Sequence, residues 1–404
     1  MKISWEEVKK HTPCFLIDKE LLKKNLEEFQ EGILRYWGRG MVAYSCKTNS
    51  LPWIMSYIKE LGAYLEVVSD TEYALAKKIG CEDSHIVFNG PTKGKEAFFL
   101  ALRSGAYVNI DSKRELRWLK EYDKLGENAG VGVRVNFDLE AVCPEESLTE
   151  GGGNRFGYNV ENGDFEQVVK EIRELKNISL TGLHMHTNSK TRSFQVFEEL
   201  SKKVCSLAVQ YDLTLDFIDM GGSFFVKKGE FHKIHEYIKR ISDILRQRFC
   251  PDKTLLMVEP GSALISTPVK FLTKVLDVKD TNKHRFVVTD GGRMYMDPFM
   301  RKTSHVYKLF TQSSNKKEEQ IICGHTCMEV DRLMTLREER EIGEGDFILY
   351  DLTGGYTMSL NPLFIEYFPD VFVEEKGEYE QVREKWGLEE YLQKNVYGQD
   401  GEVS

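Results

Sequence analysis

The chain has 404 residues, 41% of them hydrophobic, which suits one large core plus a smaller one. Its 55 Lys and Arg stand against 64 Asp and Glu, a net charge of −9. With no basic block, that balance argues against nucleic acid or an anionic membrane as the main partner. The opening MKISWEEVKKHTP has no apolar signal core, no apolar run nears membrane-spanning length, and the eight cysteines form no CxxC pair. A reduced, cytoplasmic protein is expected.

In chain order, short apolar runs alternate with amphipathic stretches. Strands are predicted at Met41–Lys47, Tyr64–Ser69, His85–Gly90, Tyr107–Asp111, Gly130–Asn136, Leu180–Thr187, Leu215–Gly222 and Leu255–Gly261. Helices are predicted between them, at Leu51–Gly62, Thr71–Gly80, Gly94–Gly105 and Lys113–Leu125 among others. Eight such units over roughly 220 residues match a closed (β/α)8 TIM-type barrel. Past Phe271 the pattern turns to short β-like runs at Val275–Val278, Arg285–Thr289, His305–Phe310, Gln320–Cys323 and Phe347–Asp351, with helical periodicity only near Glu380–Gln393. The fold class expected is α/β, a TIM-type barrel over residues 15–268 plus a mainly-β domain from residues 1–14 and 269–404. Cys14–Asp18 reads as a further strand able to join that domain. Asp138–Asn154, with Gly151-Gly152-Gly153, reads as a loop or lid, and Gly398–Ser404 as frayed.

The predicted strands are apolar until their C-terminal ends, which carry Lys47, Glu66, Ser69, Asn89, Asp111, Arg134, Asn136, His186, Gly221, Gly222 and Glu259. In a closed barrel these ends converge on one mouth, where sites of this fold lie. A lysine in such a partly desolvated mouth releases its proton more readily, which amine nucleophiles need. Glu259 is placed to face a pyridine-type nitrogen, or else to pair with a rim cation. Gly221-Gly222-Ser223 and Gly261-Ser262 follow the last two strands, the usual phosphate position of the barrel, though any tight turn uses such glycines. His184 and His186, two apart, share one face of a strand. No further ligand set completes a metal site around them, so no metal is expected.

These residues together resemble the diaminopimelate/ornithine decarboxylase family, pyridoxal-phosphate enzymes built on an alanine-racemase-like barrel (fold type III). The likeness runs from about Thr12 to Val373. Ala43-Tyr44-Ser45-Cys46-Lys47-Thr48-Asn49 is similar to the segment whose lysine binds the cofactor aldehyde. Leu183-His184-Met185-His186-Thr187-Asn188-Ser189 is similar to the segment whose second histidine stacks on the ring and whose serine contacts phosphate. Asp219-Met220-Gly221-Gly222-Ser223-Phe224 resembles the phosphate loop, and Glu259-Pro260-Gly261 the partner of the ring nitrogen with its turn. In the second domain, Gly324-His325-Thr326-Cys327-Met328-Glu329-Val330-Asp331 resembles the segment whose cysteine protonates the product in the partner subunit's site. Gly354-Gly355-Tyr356 resembles the segment whose tyrosine bonds phosphate. The resemblance implies an amino-acid decarboxylase acting as a homodimer with shared sites.

Three departures bear on function. Ser262 stands where the family has a phosphate-binding arginine. A charge-assisted hydrogen bond contributes roughly 1.5–3 kcal/mol, so cofactor binding is expected to be about ten- to a hundredfold weaker unless Arg293 or Arg301 substitutes. Asp297-Pro298 stands near the family's Arg-Pro pair, which speaks against diaminopimelate and for a substrate with a distal amine, while Arg301 leaves an acidic one open; Asp297, Arg301 and Asp331 form the expected substrate-contacting set. Glu66 replaces an aspartate beside the lysine, altering shape but not charge. A racemase of the same barrel type is expected to carry tyrosine at the Cys327 position, and a non-catalytic regulator has only the Ser262 change in its favour.

Overall fold

The computed structural model describes residues 2–148, 153–227 and 229–396, in two compact units, Lys23–Leu264 and Met1–Leu22 with Ile265–Ser404. Gly151, Gly152 and Gly398–Ser404 lie outside the described residues.

The larger unit is a closed barrel of eight parallel strands: Gly40–Ser45, Tyr64–Val67, Ile86–Phe88, Tyr107–Ile110, Ala129–Asn136, Ile178–His184, Phe217–Asp219 and Leu255–Val258. Each pairs with the next, and the eighth returns to the first through Leu256 opposite Gly40 and Val258 opposite Val42. Helices follow the strands, each burying one stripe. In Asp164–Arg173 the stripe is Phe165, Val168, Val169 and Ile172, the i, i+3, i+4 spacing of an amphipathic helix. Lys113–Asp123 begins with a capping box of Ser112 and Glu115.

The barrel interior is layered. Met41, Ala43, Val87, Phe217, Leu255 and Met257 fill its N-terminal end, with Tyr64 and Tyr107 packed against them. A Cβ at Gly182 would fall 2.2 Å from the Phe217 ring, so glycine there makes room for the plug. Above this floor the inward positions turn polar. That change positions the site.

The smaller unit is a ten-stranded sheet. Cys14–Asp18 lies in it between Val269–Asp280, antiparallel, and Asp370–Glu375, parallel. The helical reading of Glu380–Gln393 is corrected: the chain forms the strand Glu378–Arg383 against Asp370–Glu375, and only Leu388–Leu392 is helical. Sheet pairing on both sides, with Asp370–Glu375 and with Lys2–Ile3, outweighed local helix propensity there. Arg332–Arg340, unassigned from its charges, is a nine-residue strand paired with Lys316–Cys323.

Candidate active site

Lys47 sits in the 3-10 turn Cys46–Thr48 just past the first strand, not on the strand itself. Its Nζ donates to Glu66 Oε2 at 2.5 Å and to Ser45 Oγ at 2.8 Å. Ser45 Oγ in turn donates to the same Glu66 oxygen at 2.5 Å. Glu66 is 1% exposed and the Lys47 side chain 34%, so the amine is anchored from below yet reachable from the mouth.

Asn89, following the third strand, donates through Nδ2 to Glu259 Oε1 at 2.6 Å and to Glu66 Oε1 at 3.2 Å. Asn109 donates to Asn89 Oδ1 and to Asp219 Oδ2, both at 2.9 Å. His184 Nε2 lies 3.5 Å from Glu259 Oε2. Burial alone would protonate Glu259, but the neighbouring His184, Asp219 and Lys47 outweigh it and hold its carboxyl below the ordinary range. Asp219 goes the other way: complete burial, then the neighbouring Glu259, push its carboxyl well up, so of the two it carries the proton.

His186 lies beyond the sixth strand, its ring 6.0 Å from that of His184. Burial, then Arg134, His184 and Lys47, keep its imidazole neutral, and Nδ1 accepts the Gly222 N–H at 3.0 Å. Gly221 has φ +63°, and a Cβ on it would come 2.7 Å from His186. A Cβ on Gly222 would meet the Glu259 carbonyl oxygen at 2.5 Å, and one on Gly261 would meet Thr48 Oγ1 at 2.2 Å. Ser223 (φ +70°) donates to Asn188 Oδ1, Ser189 Oγ accepts from the Arg192 N–H, and Ser262 opens the short helix Ser262–Ile265. Beside His186 opens a cavity of about 660 Å3, lined by Arg134, Glu140, Phe156, Asn188 and Lys190 among others. Arg134 is pinned to Asp111 at 2.8 Å. Part of the Asp138–Asn154 segment forms the cavity wall.

The sequence reading found no third group beside His184 and His186. Folding brings Glu259 within 4.8 Å of both, a grouping that only closure of the barrel makes visible. Ser45, Asn109 and Asp219 were also missed as site members. Asn109 carries a signal that could have found it, a lone amide among the apolar residues of Tyr107–Ile110.

In the sheet unit Cys327 is exposed and Tyr356 is 38% exposed with φ +56°. Asp331 is 3% exposed and accepts the Arg293 N–H at 2.7 Å, the Thr326 N–H at 3.1 Å and the Thr326 hydroxyl at 2.7 Å. Asp297 accepts the Arg293 guanidinium at 3.2 Å and the Lys302 N–H at 2.7 Å. Both carboxylates are thus engaged by their own unit. Arg293, bound to Asp297 and the Lys302 carbonyl, is likewise committed. Arg301 is exposed over the Phe299 ring.

Residues 21–266 match the pyridoxal binding domain of the pyridoxal-dependent decarboxylases, and residues 263–354 match their C-terminal sheet domain. The diaminopimelate decarboxylase of Methanocaldococcus jannaschii is 28% identical over 364 residues, 86% of this chain and 83% of the relative. That of Bacillus subtilis is 27% identical over 384 residues, 90% and 87%. The crystal structure of the M. jannaschii enzyme with L-lysine superposes with a TM-score of 0.86 at 25% identity, covering 97% of this chain and 94% of that one. The residues present fit pyridoxal phosphate. A reachable amine, a buried ionised carboxylate and a glycine cradle too tight for any Cβ are what its aldehyde, ring nitrogen and phosphate require. Among the described residues no helix is long and apolar enough to cross a membrane. The chain belongs to the pyridoxal-dependent decarboxylases and is a pyridoxal-phosphate enzyme that removes carbon dioxide from an amino acid.

Proposed function

We propose that the substrate is a diamino acid, and that Lys47 binds the cofactor aldehyde, Glu259 faces its ring nitrogen and His186 lies against its ring. Ser189, Gly221, Gly222, Ser223, Gly261, Ser262 and Tyr356 surround the phosphate. The observation that carries this reading is the chain Lys47–Glu66–Asn89–Glu259, with an amine at one end and an ionised carboxylate at the other. The relatives named above as diaminopimelate decarboxylases support the substrate class.

Bound pyridoxal phosphate supplies a ring that accepts the electron pair left on Cα when carbon dioxide departs. The chain's own residues do the rest. Glu66 and Ser45 hold the Lys47 Nζ proton. Glu259, kept charged, stabilises a proton on the ring nitrogen. Neutral His186 offers a flat, uncharged face. Arg301, exposed, is available to a second, distal carboxylate of such a diamino acid, while Asp297 and Asp331 hold the backbone of Arg293 and Lys302.

The enzyme works as a homodimer in which Cys327 of the partner subunit protonates Cα, an effect typically worth about 10²–10⁴ in rate. Eight free cysteines fit a reducing, cytoplasmic setting. Carbon dioxide release from cofactor-loaded enzyme, measured against L-, D- and meso-amino acids including lysine, ornithine, arginine, glutamate and diaminopimelate, tests the proposal. Release confined to diamino acids is expected; release from glutamate alone would reject the substrate class.

A further inference from the structure

We propose that Asn89 is a positioning residue for the decarboxylation site, its single amide N–H2 group bridging Glu66 and Glu259 and fixing where negative charge sits beneath the cofactor. This rests on the placement of the cofactor over Lys47 and Glu259 given above.

The orientation of the amide is determined by its neighbours. Asn89 Oδ1 accepts from Asn109 Nδ2 at 2.9 Å, so Nδ2 must face the carboxylates. There it meets Glu259 Oε1 at 2.6 Å and Glu66 Oε1 at 3.2 Å. All three side chains are at most 3% exposed, so water does not screen the two acids from each other. Two carboxylates sharing a dry pocket drive one of the pair to take up a proton. An amide between them donates to both and offsets their mutual repulsion.

The other charged or titratable groups around the pair come from separate strands and turns. Lys47 and Ser45 hydrogen-bond Glu66, His184 and Asp219 lie against Glu259, and the charge of Lys47 also acts on Glu259. Asn89 Nδ2 donates to both carboxylates. The bridge therefore links the lysine end of the site to the ring-nitrogen end. Its loss would leave the two acids without their shared donor, weakening the grip on the ring nitrogen or the hold on Lys47.

The isosteric change Asn89→Asp tests this in the holoenzyme, because it keeps the volume and replaces the donor by an acceptor. At neutral pH the expected result is a cofactor dissociation constant raised at least about tenfold, with an altered visible absorption band of the bound cofactor. As the pH falls, the new carboxyl gains a proton and becomes a donor again, so band and affinity should recover toward wild type. Asn89→Ala should lose affinity without that recovery. Wild-type band and affinity in Asn89→Asp at all pH values would overturn the proposal. So would equal, pH-independent losses in both variants, the mark of a packing role. Should Asn89→Asp fail to fold, Asn89→Ser with an unchanged melting temperature must show the same affinity loss and altered band, and a wild-type band there also rejects the bridge. Lys47→Ala serves as the separate check: a wild-type cofactor band in that variant would overturn the underlying site assignment, not the bridge alone.

Discussion

Lys93 and Glu115 form an ion pair at 2.6 Å in which both side chains are wholly buried. Lys93 Nζ also donates to the carbonyls of Gly90 and Asn109, and Glu115 accepts the backbone N–H groups of Asp111 and Ser112. Every strong group is satisfied, and the pair ties the turns after the third and fourth barrel strands together. Lys93→Met leaves Glu115 buried without its countercharge, a loss expected to cost about 3–5 kcal/mol. Denaturant unfolding of the variant measures it. A cost below about 1 kcal/mol would show that the helix-cap donors alone satisfy Glu115.

Gly221→Ala is expected to damage the site while sparing the barrel. Its φ of +63° disfavours any L side chain, and the added methyl would press on His186 at 2.7 Å. The Gly222 N–H contact to His186 would move with it. Cofactor affinity should fall at least about tenfold, a loss of the size that one broken contact to a charged group produces. Absorbance titration against pyridoxal phosphate reads this, and unchanged affinity would separate the loop from the phosphate.

Cys327 and Lys47 should complement each other across subunits. Lys47→Ala and Cys327→Ala homodimers are each expected to be nearly inactive. Random reassociation of an equal mixture puts half the protein in mixed dimers with one intact site, so about a quarter of wild-type activity should return. A mixture no more active than its parents would refute the shared site. Cys327→Ala alone should lower kcat and leave cofactor affinity unchanged.

Asp290 gives a pH dependence with a defined sign. Partial burial raises its carboxyl to about 6, against hydrogen bonds from the Lys274 N–H and Thr12 that pull it down. The folded state therefore binds the proton more tightly than the unfolded chain does. Its contribution is fully present below the unfolded value near 3.9 and is lost as pH rises through about 6. Asp290→Asn should match wild type in melting temperature near pH 4 and exceed it near pH 7. An identical pH profile in both proteins would remove Asp290 from the account.

The barrel is legible in the sequence because parallel strands covered on both faces show as unbroken apolar runs, and polarity at their ends marks the mouth. Lys47, Glu66, His186 and Glu259 stand out for that reason. Asn109 and Asp219 do not, since an inward polar position inside a short strand looks like a neighbour of the core until the ring closes. The bridge at Asn89 is invisible for a related cause: its two partners are 23 residues before and 170 residues after it. In the sheet unit, Arg332–Arg340 was unassigned because an edge strand facing solvent can carry charges that mimic a surface helix. Glu380–Gln393 was misread because pairing with Asp370–Glu375, not local preference, decides its form.

The aromatic plug of Phe217 has a kinetic meaning. With Gly182 cut away to seat it and Met41, Leu255 and Met257 around it, the lower end of the barrel is a hydrocarbon seal. Hydrogen ions reaching Glu66, Glu259 or Asp219 must then travel by the mouth, past whatever occupies it. Any exchange of those protons with bulk water is therefore one-sided, and a substitution that opened the floor would give the acids a second route to solvent.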